Sequence, residues 1–115
     1  MRGGILALSM SFVQRTHHCG ELRAEHLGQV VTLNGWVHRI RYLGGLFFVD
    51  LRDRTGLVQL CLEPTTFPKA TGIRPETCLS VSGEVRMRDE KSRNPKLATG
   101  DIELVVTGFT VLGPC

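Results

Sequence analysis

The residues with the most chemistry to offer are one ring and a handful of charges. Phe48 shares one alternating row with Asp50 and Arg52 in a short stretch whose other row, Phe47, Val49 and Leu51, is apolar. A phenyl ring set among charges is a platform on which a nucleobase can stack. Four further polar residues fall opposite apolar rows in the same way: Gln59, Arg86, Arg88 and Glu103. Arginines neutralise phosphates, and amides and carboxylates meet the Watson–Crick edges of unpaired bases. The set therefore has the parts needed to hold a single strand of RNA. The alternative is an ordinary solvated face on which Phe48 packs against a loop, because solitary exposed apolar residues are common.

Other chemistries find less support. His17, His18 and Cys19 are of metal-ligating type, but three adjacent residues do not readily converge on one ion, and no metal site is expected. His26 and His38 are scattered, and no nucleophile–base pair can be argued, so no catalytic residue is assigned. The four cysteines lack CxxC spacing, and free thiols in a reducing cytoplasm are the expectation. No apolar run is long enough to cross a membrane as a helix.

The elements that must position these side chains are strands. Even spacing of apolar residues predicts them over Val30 to Arg41, Leu46 to Arg52, Leu57 to Leu62, Leu79 to Arg88 and Ile102 to Phe109. Gly44-Gly45 and Asp53-Arg54-Thr55-Gly56 supply two tight turns. The third connection, Glu63 to Thr77, is broken by three prolines and a glycine and reads as an irregular crossing. A polar loop, Asp89 to Gly100, precedes the last strand. Helix formers over Cys19 to Leu27, ended by Gly28, predict a short N-terminal helix packed on the body. With 115 residues there is room for one domain of ordinary size. Its core must be aliphatic, since Trp36, Tyr42 and five Phe are the only aromatics. The expected architecture is all-β, a five-stranded OB-fold Greek-key barrel, although an SH3-like barrel or small sandwich yields a similar string. A formal charge of +3 is compatible with a polyanionic partner without demonstrating one.

The ordered series of residues also resembles a known family. Arg15-Thr16-His17, Cys19-Gly20-Glu21-Leu22-Arg23 and Gly35-Trp36-Val37 with Arg39 and Arg41 resemble the opening of bacterial aspartyl-tRNA synthetases. Gly44-Gly45-Leu46, Phe48, Asp50 to Arg54, Gly56 and Val58-Gln59 continue the match. So do Gly83, Val85-Arg86, Arg88, Asn94-Pro95, Ala98-Thr99-Gly100 and Ile102-Glu103, and the likeness covers residues 15 to 112.

The resemblance implies an anticodon-binding domain over 15–112, with 1–14 a flexible extension and 113–115 the start of a hinge. It implies that Phe48 stacks on the central uridine of the tRNA(Asp) anticodon and that Gln59 reads that base's edge, with Arg41 beside it. Glu103 would meet the first anticodon base, and Arg86 and Arg88 the third base and the backbone. Alternation alone places Arg41 with inward-facing Val37, so a bulge or strong bend in the first strand must turn it outward. The partner implied is the tRNA(Asp) anticodon stem-loop, and the setting a cytoplasmic, homodimeric enzyme. ATP and Mg would serve that enzyme's catalytic domain, and no cofactor is expected in this chain, which is read as binding without catalysing. Alternatives are a general single-stranded nucleic-acid-binding OB-fold and a non-catalytic protein-interaction barrel. Departures from the family pattern are the Pro- and Gly-rich crossing, Ser92 in place of an asparagine, and Ile40 and Tyr42 in place of charged residues. Leu43 occupies a loop position that differs between enzymes specific for tRNA(Asp) and those that also charge tRNA(Asn), and leucine there leans towards strict specificity.

Overall fold

A computed structural model describes residues 15–63 and 73–114. Five strands form where alternation predicts them: β1 (Val30–Leu43), β2 (Leu46–Asp53), β3 (Gly56–Leu62), β4 (Thr77–Met87) and β5 (Ile102–Pro114). They close into a barrel in the order β1-β2-β3-β5-β4, with β4 returning to β1. The β3–β5 pairing is parallel and the others are antiparallel. Closure leaves no unpaired edge, and it brings the outward rows of all five strands onto one continuous surface. This is the OB-fold order, with the break after the third strand that the proline-rich crossing foretells. Residues 64–72 of that crossing, and the expected extension over 1–14, lie outside the described residues. β5 runs to Pro114, two residues past the expected domain end.

The inward rows fill the barrel with aliphatic side chains. Val31, Leu33 and Val37 of β1, Val49 and Leu51 of β2, and Val58, Leu60 and Leu62 of β3 are all buried. Leu79, Val81 and Val85 of β4 and Ile102, Leu104 and Val106 of β5 complete the core. Such interdigitated burial, at about 25 cal/mol per Å² of apolar surface, is what fixes the register of each strand and so the direction of each outward side chain.

Two local devices matter for the outward surface. Gly44 and Gly45, with φ of 60° and 80°, make the two-residue turn that sets Leu43 opposite Leu46. In β1 the register shifts between Val37 and Arg39, so that Val37 faces Leu51 while Arg39 faces Asp50 and Arg41 faces Phe48. The extra residue, His38, moves Arg41 to the outer face, as the bulge argument requires.

The N-terminal segment differs from expectation. Instead of one short helix it forms two single-turn 3-10 segments, Cys19–Glu21 and Ala24–His26, separated by extended Leu22 and Arg23. The cause is tertiary. Cys19 and Leu22 are both fully buried, and the Cys19 amide donates to Asp53 Oδ2 at 2.8 Å. Gly20 donates to Thr55 Oγ1 at 2.9 Å and lies so close to the Thr55 carbonyl that a Cβ would come within 2.2 Å of it. Anchors to the β2–β3 turn therefore override helix propensity. Burial alone would raise the Asp53 carboxyl, but hydrogen bonds from the Thr55 hydroxyl and the Cys19 and Thr55 amides outweigh it and hold it below the usual carboxylate range. The thiols at Cys19 and Cys61 are free and buried, whereas Cys78 is disulfide-bonded, contrary to the expectation of free thiols throughout. Among the described residues there is no group of metal-ligating side chains and no helix long and apolar enough to cross a membrane.

Candidate nucleic-acid interface

The outward rows meet in a chain of polar contacts that crosses all five strands. Arg41 of β1 donates through Nη2 to Asp50 Oδ1 of β2 and to Gln59 Oε1 of β3, both at 3.0 Å. Gln59 Nε2 donates to Glu103 Oε1 of β5 at 2.9 Å. Arg86 of β4 completes the row, its Nη2 at 3.8 Å from Glu103 Oε2. The Arg41 guanidinium carbon stands 6.0 Å from the centre of the Phe48 ring. Register explains the convergence, because Arg41 is opposite Phe48, Asp50 opposite Gln59 and Arg86 opposite Glu103. Of the six residues singled out from sequence, Arg41, Phe48, Gln59, Arg86 and Glu103 are brought together here.

The row is covered yet charged. Gln59 is 2% exposed and Glu103 8%. Carboxylates so desolvated need cations or donors close by, and Arg41 serves Asp50 while Arg86 and Gln59 serve Glu103. The Gln59 amide is fixed by its neighbours, with its oxygen towards a donor-only guanidinium and its nitrogen towards an acceptor-only carboxylate. An amide held this way offers a donor and an acceptor in fixed directions to any planar edge that displaces its partners. Phe48 is half-buried beside it, opposite Cys61, with the core on the far side of the sheet.

Arg88 does not join the row. It is 5% exposed, and its Nε and Nη1 donate to the carbonyls of Ile102 (2.9 Å) and Ser92 (3.0 Å). The reason is local: the β4–β5 ladder ends at the Met87–Ile102 pair, so strand alternation no longer directs the next side chain. Its guanidinium turns back and ties the loop over 89–101 to β5. Burial presses the Arg88 guanidinium below its usual range, and the charges of Asp50 and Glu103 act in the opposite sense. In the same loop Thr99 is buried, and its hydroxyl donates to the carbonyl of Leu57.

Sequence reasoning missed two contributors. Asp50, on the same row as Phe48, was given no role, although that shared row was the available signal. Thr99 gave no periodic signal at all, because its anchoring partner is a backbone carbonyl 42 residues away in sequence.

Comparison with known proteins follows the same lines. Residues 31–112 match the tRNA anti-codon family model, described as an OB-fold nucleic acid binding domain. The chain is 50% identical over 98 residues to an aspartate–tRNA(Asp/Asn) ligase of Dictyoglomus turgidum, a match covering 82% of this chain and 17% of that protein. It is 46% identical over 102 residues to an aspartate–tRNA ligase of Haemophilus ducreyi, covering 86% and 17%. The chain thus spans less than a fifth of these relatives. Among solved structures, the asparaginyl-tRNA synthetase of Pyrococcus horikoshii is similar with a TM-score of 0.72 and 28% identity, over 86% of this chain and 23% of that one.

Proposed function

The chain belongs to the tRNA anti-codon family of OB-fold nucleic acid binding domains, and from that membership we propose that it is the anticodon-reading module of an aspartate–tRNA ligase. The observation that carries this reading is the Arg41–Gln59–Glu103–Arg86 row beside the Phe48 ring. Phe48 stacks on the central uridine, and the Gln59 amide meets that base's edge with one donor and one acceptor. Glu103 accepts from the first anticodon base, where a guanine can donate. Arg41 and Arg86 release their partners in part to meet the RNA, so the row exchanges internal hydrogen bonds for equivalent ones to bases rather than desolvating bare charges. Arg88 enters as a positioning residue: it holds the loop over 89–101 in place, and its contact with RNA, expected from strand parity, is not part of the proposal.

The module binds and orients, and aspartate activation with ATP and transfer to tRNA(Asp) is the activity proposed for the ligase in which it acts. The cytoplasmic setting and the homodimeric state belong to the same proposal.

Nuclear magnetic resonance tests the location. Adding a tRNA(Asp) anticodon stem-loop to isotope-labelled chain is expected to shift the amides of Arg41, Phe48, Gln59, Arg86 and Glu103 most. Shifts centred instead on the cleft between β4 and β5, lined by Ser80, Ser82 and Thr107 to Thr110, would place RNA elsewhere and count against the reading.

A further inference from the structure

The polar row is not the only place on this surface equipped for RNA. A cleft of about 320 Å³ opens at the other end of the β1–β2 pair, lined by Arg15, His18, Asn34, Trp36, Asp53 and Arg54. We propose that this cleft is a second RNA subsite, which takes a nucleotide flanking the anticodon triplet by its phosphate and base. The proposal rests on the anticodon reading above and extends it to residues outside the triplet site.

Continuity is the first argument. Phe48, Asp50 and Arg52 share one row of β2, and Trp36 lies directly opposite Arg52. Arg52 lies four residue steps along β2 from Phe48, about 14 Å at about 3.4 Å per residue. A strand of RNA leaving the Phe48 ring along this row arrives at Trp36.

Charge is the second. Asp53 is the one carboxylate lining the cleft, and its oxygens are engaged from within by the Cys19 amide (2.8 Å), the Thr55 amide (2.8 Å) and the Thr55 hydroxyl, with His18 Nδ1 at 3.6 Å. The cations are less committed. Among the described residues the arginine ion pairs are Arg41–Asp50 and Arg86–Glu103, and none involves Arg15, Arg52 or Arg54. Arg52, which pairs with Trp36 but does not line the cleft, has a buried Nε without a hydrogen-bond partner, as has Arg41 in the polar row. Arg15 is steered to the rim by its contact with the His18 ring, at 3.2 Å through Nε.

The third argument is the pairing of residue types. Arginines flanking a half-buried indole suit a single strand, whose phosphates meet guanidinium groups while a base lies on the ring. An acidic protein segment would satisfy the arginines but would leave the indole without a planar partner, so RNA is the favoured occupant.

The experiment compares two probes, the anticodon stem-loop and a bare GUC trinucleotide, which fills the triplet site and cannot reach the cleft. In the full chain carrying Arg15→Ala and Arg54→Ala, stem-loop binding is expected to weaken at least about tenfold, with trinucleotide binding unchanged. The slope of log affinity against log salt should fall by about 0.7, corresponding to one lost phosphate contact. Trp36 is the only tryptophan, so wild-type emission should be altered by the stem-loop and not by the trinucleotide, a readout that needs no variant. Unchanged stem-loop affinity and slope would overturn the subsite. So would equal losses for both probes, which would trace the effect to the triplet face. Binding of poly-glutamate that the variant loses, with stem-loop affinity retained, would assign the cleft to an acidic protein and overturn it as well. If the wild-type chain binds no stem-loop at all, the anticodon reading itself fails, a result distinct from each of these.

Discussion

Phe48→Ala weakens binding of a tRNA(Asp) anticodon stem-loop by about 1–3 kcal/mol, about 5- to 150-fold in Kd, and leaves the barrel folded. The two halves of this expectation have separate causes. Affinity falls because the ring stands beside the Arg41–Gln59–Glu103 row, and stacking is the part of base recognition that hydrogen bonds cannot replace. Folding survives because Phe48 points away from the core row of Val49 and Leu51, so its loss opens no cavity inside the barrel. Fluorescence anisotropy titration at fixed salt, paired with a thermal melt, measures both. Unchanged affinity would remove Phe48 as the stacking platform, and a collapse of the melt would show the ring to be structural.

Gly100→Ala should lower stability by about 1–3 kcal/mol, seen as a fall in Tm of roughly 5–20 °C for a domain of this size. A Cβ at Gly100 would stand 1.7 Å from the Asn94 carbonyl oxygen and 2.7 Å from its carbon. Neither is the end of a flexible side chain, so backbone must move. The movement is costly because the same stretch is pinned on every side. The Asn94 amide donates to Gly100 O at 3.0 Å, Gly100 donates to Leu97 O at 3.0 Å, and the Thr99 hydroxyl is tied to Leu57. Arg88 holds the preceding turn through Ser92. A melt unchanged by the substitution would mean that this loop yields freely and that Arg88 and Thr99 do not fix it.

The strands and the outward face were legible because one physical rule, alternation about a pleat, governs both. Val49 and Leu51 could not be placed inward without placing Phe48 and Asp50 outward. Arg41 was legible only as a contradiction: alternation set it inside with Val37, and the resemblance set it outside. The one-residue shift after Val37 resolves this by changing the phase of the strand. Where the rule ends, legibility ends with it. Arg88 follows the last ladder pair, and the carbonyls of Ile102 and Ser92 capture its guanidinium instead. The N-terminal turns escaped for a related reason, since they are dictated by Asp53 and Thr55, more than thirty residues away, rather than by local propensity. The base proposed for each side chain came from resemblance, not from periodicity, because strand pattern fixes direction but carries no information about a ligand.

The central claim is that the ring and the fixed amide together read one particular base. Affinity of the wild-type chain for stem-loops that differ only at the middle anticodon position, uridine against cytidine or adenosine, tests it most directly. Replacing the uridine should cost roughly tenfold or more, since a mismatched edge leaves the buried Gln59 amide and its charged neighbours imperfectly paired. Equal affinity for all three stem-loops would contradict the account and describe a barrel that grips single strands without reading them.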